Sequence, residues 1–147
     1  LFRYLRPGRD GFPGPRLDAA ELRKRYSSSA TDPYRMLLAE SDSLLLTTDQ
    51  SRAIIEAQRR YLTVTDSIWQ ELAGYLAGLP DRFDASVALH RHITAVDAAW
   101  EAARLSIRAE LPRILTPLQL RLVPSFAGTL LRAETPIRGP RSLVFGF

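Results

Sequence analysis

The sequence predicts an all-α protein: a long antiparallel helical hairpin with short flanking helices and extended Arg-rich termini. Three observations carry this. Neither Gly nor Pro occurs from Tyr34 to Ala73 or from Asp81 to Leu111, two windows suited to long helices. Apolar residues within them recur at i, i+3, i+4 and i+7, the stripe of a one-sided helix. No segment sustains the alternation of a half-buried strand.

Taken in order, Leu1–Arg16 hold Pro7, Gly8, Gly11, Pro13, Gly14 and Pro15, and read as an extended linker or docking arm. Its Phe2, Tyr4 and Phe12 are candidate docking residues, on this domain or on another surface. Leu rather than Met at position 1 reads as a processed form or a fragment, with room for a signal or a further domain upstream. Asp18 with Glu21 three positions on predicts a capped helix over about 19–27, broken by Ser27 to Thr31. Asp32 caps the next helix, with Pro33 at its first position, where a missing N–H costs nothing. Tyr34, Leu37, Leu38 and Leu44 or Leu45 are its apolar positions.

The first long helix places Ile54, Ile55, Tyr61, Leu62, Ile68, Trp69, Leu72 and Leu76 on its stripe and ends at Gly78, Pro80 and Asp81. Asp84 caps the second, whose stripe is Leu89, Ile93, Val96, Trp100, Ala103, Ile107 and Leu111. The expected lengths are about 48 and 40 Å at 1.5 Å per residue. The short joint makes the two antiparallel neighbours. Pro112, Pro117 and Pro124 divide the remaining chain into pieces over about 117–123 and 126–133. Residues 17–133 thus read as one helical domain and 134–147 as an extended tail, with Phe145 and Phe147 as candidate docking residues.

The 20 basic residues, 19 of them Arg, exceed the 16 acidic ones, for a net charge of +4. The excess sits at the ends: residues 1–30 and 112–147 are each net +4, whereas 31–111 are net −4. An acidic helical middle weighs against a nucleic-acid partner, which is met by a basic folded face. No run of about 18 apolar residues exists, so no transmembrane helix is expected. The absence of Cys removes disulfides, thiolate metal sites and cysteine nucleophiles.

One motif repeats. Leu46-Thr47-Thr48-Asp49-Gln50 opens the first long helix, and Leu115-Thr116-Pro117-Leu118-Gln119 opens the helix after the second. In each, the Thr hydroxyl can accept the N–H at N3 and the Gln at N3 can return a bond to the Thr N–H, a capping box. Both copies serve caps and packing, each cap contributing about 0.5–2 kcal/mol.

Two L-T-x-x-Q copies flanking a helical hairpin resemble the LTXXQ-motif family of Spy/CpxP-like periplasmic helical proteins, over roughly Tyr34 to Leu122. The resemblance implies long, bent hairpin helices, often paired as a thin antiparallel homodimer with a concave face. It implies the periplasm of a Gram-negative-type envelope. It further implies ATP-independent binding of unfolded envelope proteins, or modulation of a sensor kinase.

Chemistry-bearing constellations are sparse. His90 and His92 at i, i+2 point about 200° apart and cannot chelate one metal, and both read as surface residues. Asp97 and Glu101, beside Arg104 and Arg108, read as an ion-paired helix face. No nucleophile arrangement, phosphate loop or nucleotide fingerprint occurs, so neither an enzyme nor a cofactor is expected. Arg52, Arg59 and Arg60 are candidate protein-binding residues on one side of the first long helix, able to meet an acidic client or lipid headgroups. Trp69 and Trp100, on the two stripes, read as core or as an aromatic groove for a client segment. The expected function is therefore protein–protein contact in a bacterial envelope, chaperone-like or as a stress-sensor partner. The alternative is a structural subunit or terminal appendage of a larger envelope assembly, its ends docked on neighbours.

Overall fold

A computed structural model describes residues 17–132. It is all-helical over these residues: α1 (Ala19–Ser29), α2 (Pro33–Ala39), α3 (Ser41–Leu44), α4 (Thr48–Ala77), α5 (Ala85–Ile114), α6 (Pro117–Leu122) and α7 (Ser125–Arg132). The two long helices each have 30 residues, about 45 Å at 1.5 Å per residue.

Local chemistry sets the helix ends. Asp18 accepts from the Glu21 N–H at 2.8 Å and starts α1. This helix runs through Ser29, past the break expected at Ser27, and within it the Ser28 hydroxyl donates to the Lys24 carbonyl one turn back. Asp32 accepts from the Tyr34 and Arg35 N–H groups, with Pro33 at the first position of α2. Asp84 accepts from the Ser86 N–H at 2.9 Å at the start of α5, and bonds from the Ser86 side chain and backbone hold its carboxyl below the usual range. Pro112 does not end α5. It lies inside the last turn at the cost of the one hydrogen bond its N–H would make, and the Leu115 N–H still reaches the Leu111 carbonyl at 2.8 Å.

The single helical domain expected from the sequence resolves into two compact units. Among the described residues the first comprises 17–30 and 65–98, and the second 31–64 and 99–132. Each long helix contributes one half to each unit.

In the first unit α1 lies against the end of α4 and the start of α5. Leu22, Tyr26, Trp69, Leu72, Leu76, Ala88 and Val96 form its buried interior. Tyr26 stacks on Trp69 with ring centroids 5.3 Å apart. The α5 stripe runs as expected through Val96, Ala103, Ile107 and Leu111, but at its start Ala88 and His92 face inward and Leu89 is exposed. His92 is buried, not on the surface, because its Nδ1 shares a 2.7 Å hydrogen bond with the Tyr26 hydroxyl. Of the two histidines, only His90 is exposed as expected. Arg23 clasps Asp66 through two bonds of 2.8 and 2.7 Å, tying α1 to α4.

In the second unit Tyr34, Leu37, Ile54, Ala57, Tyr61, Ala103, Ile107, Leu111, Leu115 and Leu130 belong to one continuous core, and α2 packs on α7. The Gln58 amide donates to the buried Asp32 carboxylate at 2.7 Å and fastens the start of α2 to α4. The Tyr34 hydroxyl bonds to Ser106 Oγ on α5. Burial raises the pKa of Tyr34 to about 12 and pushes Tyr26 and Tyr61 up as well. At the far end Arg132 donates to the Arg121 and Val123 carbonyls at 2.9 and 2.7 Å, closing the C-terminal end of α6.

Candidate functional site

The two L-T-x-x-Q copies lie together in the second unit and close on one another. Each is a reciprocal capping box. Thr47 Oγ1 accepts from the Gln50 N–H at 3.1 Å, and Gln50 Oε1 accepts from the Thr47 N–H at 3.0 Å. Thr116 Oγ1 accepts from the Gln119 N–H at 3.2 Å, and Gln119 Oε1 accepts from the Thr116 N–H at 2.9 Å.

The two side-chain amides then face each other. Gln50 Nε2 donates to Gln119 Oε1 at 2.7 Å, and Gln119 Nε2 donates to Gln50 Oε1 at 3.1 Å. Each Nε2 spends its second proton on the backbone before the other motif: Gln50 on the Ile114 carbonyl at 3.1 Å, Gln119 on the Leu44 carbonyl at 3.0 Å. Each amide therefore accepts twice and donates twice, its full capacity. One pair of side chains ties the starts of α4 and α6 to the ends of α3 and α5. Gln119 is 9% exposed, so these bonds are made where water competes poorly.

This junction also accounts for Leu45. α3 ends in a Schellman arrangement, with Leu46 N–H on the Ser41 carbonyl and Leu45 N–H on the Asp42 carbonyl. Leu45 occupies the left-handed position (φ 53°, ψ 46°) that favours Gly, and its side chain is 82% exposed.

The arginines predicted on α4 have different surroundings. Arg52 is 77% exposed, 4.0 Å from Asp49, and Arg59 is 71% exposed and paired with Glu56 at 2.8 Å. With Ile55 and Leu62, both partly exposed, they form a stripe at i, i+3, i+7 and i+10 on one face. Arg60 turns instead to α5, donating to Glu110 Oε2 at 3.1 Å, an oxygen that also accepts from Arg113 at 3.0 Å. Glu101 and Arg104 form the ion-paired face expected of them, with bonds of 3.0 and 2.6 Å. Arg104 holds the Glu101 carboxyl below its usual range.

Trp69 is fully buried beneath Tyr26, which makes it core rather than a groove for a client. Trp100 is half-buried, with its ring edge-on to Phe126 at 4.8 Å. Its Nε1 is buried without a hydrogen-bond partner. Phe2, Tyr4, Phe12, Phe145 and Phe147 lie outside the described residues.

The Gln–Gln pair, the Asp32–Gln58 tether and the Tyr26–His92 bond were not legible in the sequence. The first left a signal, a Gln at N3 of both copies, but 69 residues of chain hide their proximity. The other two left none, since Gln58 read as a polar exception on the apolar stripe of the first long helix and His92 as a surface residue. No three His, Asp or Glu side chains converge as a metal site requires, among the described residues. No helix among them is long and apolar enough to cross a membrane. Compared with protein-family models, with curated proteins and with solved structures, the chain gives no match in any of the three.

Proposed function

We propose that the chain is a non-enzymatic helical protein of a bacterial envelope, acting by protein–protein contact in the manner of the LTXXQ-motif proteins it resembles. The observation that supports this reading is the junction itself: two distant copies of the motif form one reciprocal amide pair, so the repeat is a single structural device rather than two coincidental caps. A second unit fixed in this way presents the Arg52–Ile55–Arg59–Leu62 face of α4, where aliphatic contacts and guanidinium donors alternate. Such a face suits segments of unfolded protein that carry both apolar and acidic residues.

Light scattering of a chemically denatured client, with the purified chain at stoichiometric ratio, tests the chaperone branch. Suppression of aggregation is expected, weakened by Ile55→Gln with Leu62→Gln. Unchanged client aggregation removes it. A second reading, a structural subunit of an envelope assembly, is favoured by the net +4 carried at each end of the sequence. Purification of the native protein from envelope fractions as a stable complex supports that reading, and recovery as an isolated chain counts against it.

A further inference from the structure

The first unit carries a cleft that its own described helices leave open. On α4, Asp66 and Trp69 meet α1 through Arg23 and Tyr26. Ile68, Leu72 and Tyr75, at i, i+4 and i+7, form a separate stripe of the same helix. Ile68 and Leu72 face Ala95 and Ala98 of α5 across a cavity of about 290 Å³, and the small alanine side chains leave it unfilled. Glu71 and Arg91 line it as well. Neither has an ion pair among the described residues, and the Arg91 guanidinium lies 4.3 Å over the Tyr75 ring. Apolar walls with one open charge of each sign suit a segment that carries aromatic side chains and charges of both signs.

Residues 1–16 have that chemistry. Phe2, Tyr4, Leu5 and Phe12 alternate with Arg3, Arg6 and Arg9, and Asp10 is the one carboxylate. With Arg16 the segment is net +3, whereas the described residues of the first unit hold five Lys or Arg against seven Asp or Glu, net −2. A segment of this length cannot bury four large apolar side chains in a core of its own.

The tether favours the same occupant. The segment runs into α1 through Leu17, within the unit that holds the cleft. Extended, it spans up to about 53 Å, against about 21 Å for residues 85–98 of α5, so the whole unit lies within its reach. Such a tether turns docking into an intramolecular event at an effective concentration of the order of millimolar. Residues 134–147, by contrast, follow α7 of the second unit and are net +1.

We infer that residues 1–16 fold back on the first unit and cover this cleft, with their aromatic side chains against Ile68, Leu72, Ala95 and Ala98, their arginines toward Glu71 and Asp10 toward Arg91. The inference rests on neither reading under the proposed function, both of which concern other parts of the chain.

The chain has no Cys, so a single introduced thiol reports on the cleft. Ala98→Cys and Gln70→Cys both place it at an exposed position in the full chain, the first in the cleft and the second on the far side of α4. Maleimide labelling of Ala98→Cys is expected to be slowed about tenfold, the ratio for a cover in place nine-tenths of the time. Replacing Phe2, Tyr4, Leu5 and Phe12 by Ser in the same chain restores the rate, and leaves that of Gln70→Cys unchanged. The protection falls as added salt screens the arginines from Glu71. Circular dichroism checks that each variant keeps its helices. Equal labelling of Ala98→Cys with and without the four Ser substitutions overturns the proposal. Protection that grows with protein concentration also overturns it, and assigns the cleft to a second copy of the chain.

Discussion

Removing one amide of the Gln pair orphans four partners at once, which makes the junction measurable. Gln119→Ala strips a donor from the Leu44 carbonyl, an acceptor from the Thr116 N–H, and both a donor and an acceptor from Gln50. At about 0.5–1.5 kcal/mol for each bond lost, offset where water enters, the expected cost is about 2–4 kcal/mol. Gln50→Ala exposes the equivalent set at a less buried position and costs about 1.5–3 kcal/mol. The two mutual bonds are lost in either single variant and only once in the double variant. Urea unfolding of the four proteins should therefore return a coupling energy of about 1–2 kcal/mol. Single costs that add within about 0.5 kcal/mol would refute the reciprocal pair and leave two independent caps. A charged variant sharpens the test. Gln50→Glu with Gln119→Glu keeps both capping acceptors but sets two carboxylates against each other. Their shared pKa is raised above the unfolded value, so this variant gains stability as pH falls through the carboxylate range, opposite in sign to an ordinary paired acid.

The same geometry yields three further outcomes. Leu45→Gly relieves a left-handed leucine that packs on nothing and should raise stability by about 0.5–1 kcal/mol in thermal unfolding, after the entropy cost of Gly. Gly128→Ala places a Cβ 2.3 Å from the Val123 carbonyl oxygen and 2.7 Å from Arg132 Nη1, forcing backbone to shift and displacing the α6 cap. A loss of about 2–3 kcal/mol by urea unfolding is expected. Burial raises the pKa of Tyr34 to about 12 from an unfolded value near 10, so its contribution to stability is complete below pH 10 and is lost as pH rises toward 12. Tyr26 and Tyr61 shift in the same direction. Tyrosinate absorbance should therefore rise together with loss of helix in alkaline titration, and ionisation of these tyrosines well before unfolding would contradict their burial.

The helix boundaries show how far local signals reach. Asp18, Asp32, Thr47, Asp84 and Thr116 each mark a helix start in the sequence, and each cap bond is present. Capping joins residues two or three positions apart, so the sequence contains all of its partners. The same holds for the all-α class, which rests on periodicity and on the placing of Gly and Pro. Pro112 is the exception within this local range. Its missing N–H and its ring weaken the turn before it, and here the buried Leu111 and Leu115 and the hold of Gln50 on the Ile114 carbonyl keep the last turn helical.

The helices, their capped ends and the existence of a repeated motif were set by the linear order of residues, because these are effects between near neighbours. The role of the motif in the fold emerged only from the packing of distant segments. Gln50 meets Gln119 across 69 residues, Tyr26 meets His92 across 66, and Arg60 turns from the α4 surface to Glu110 across 50. Polar side chains of this kind choose among partners by distance and burial, and neither has a period that a linear pattern records. The inward face of α5 obeys the same logic. Ala88 and His92 displace Leu89 because the aromatic pair Tyr26–Trp69 occupies the space and the Tyr26 hydroxyl requires a partner.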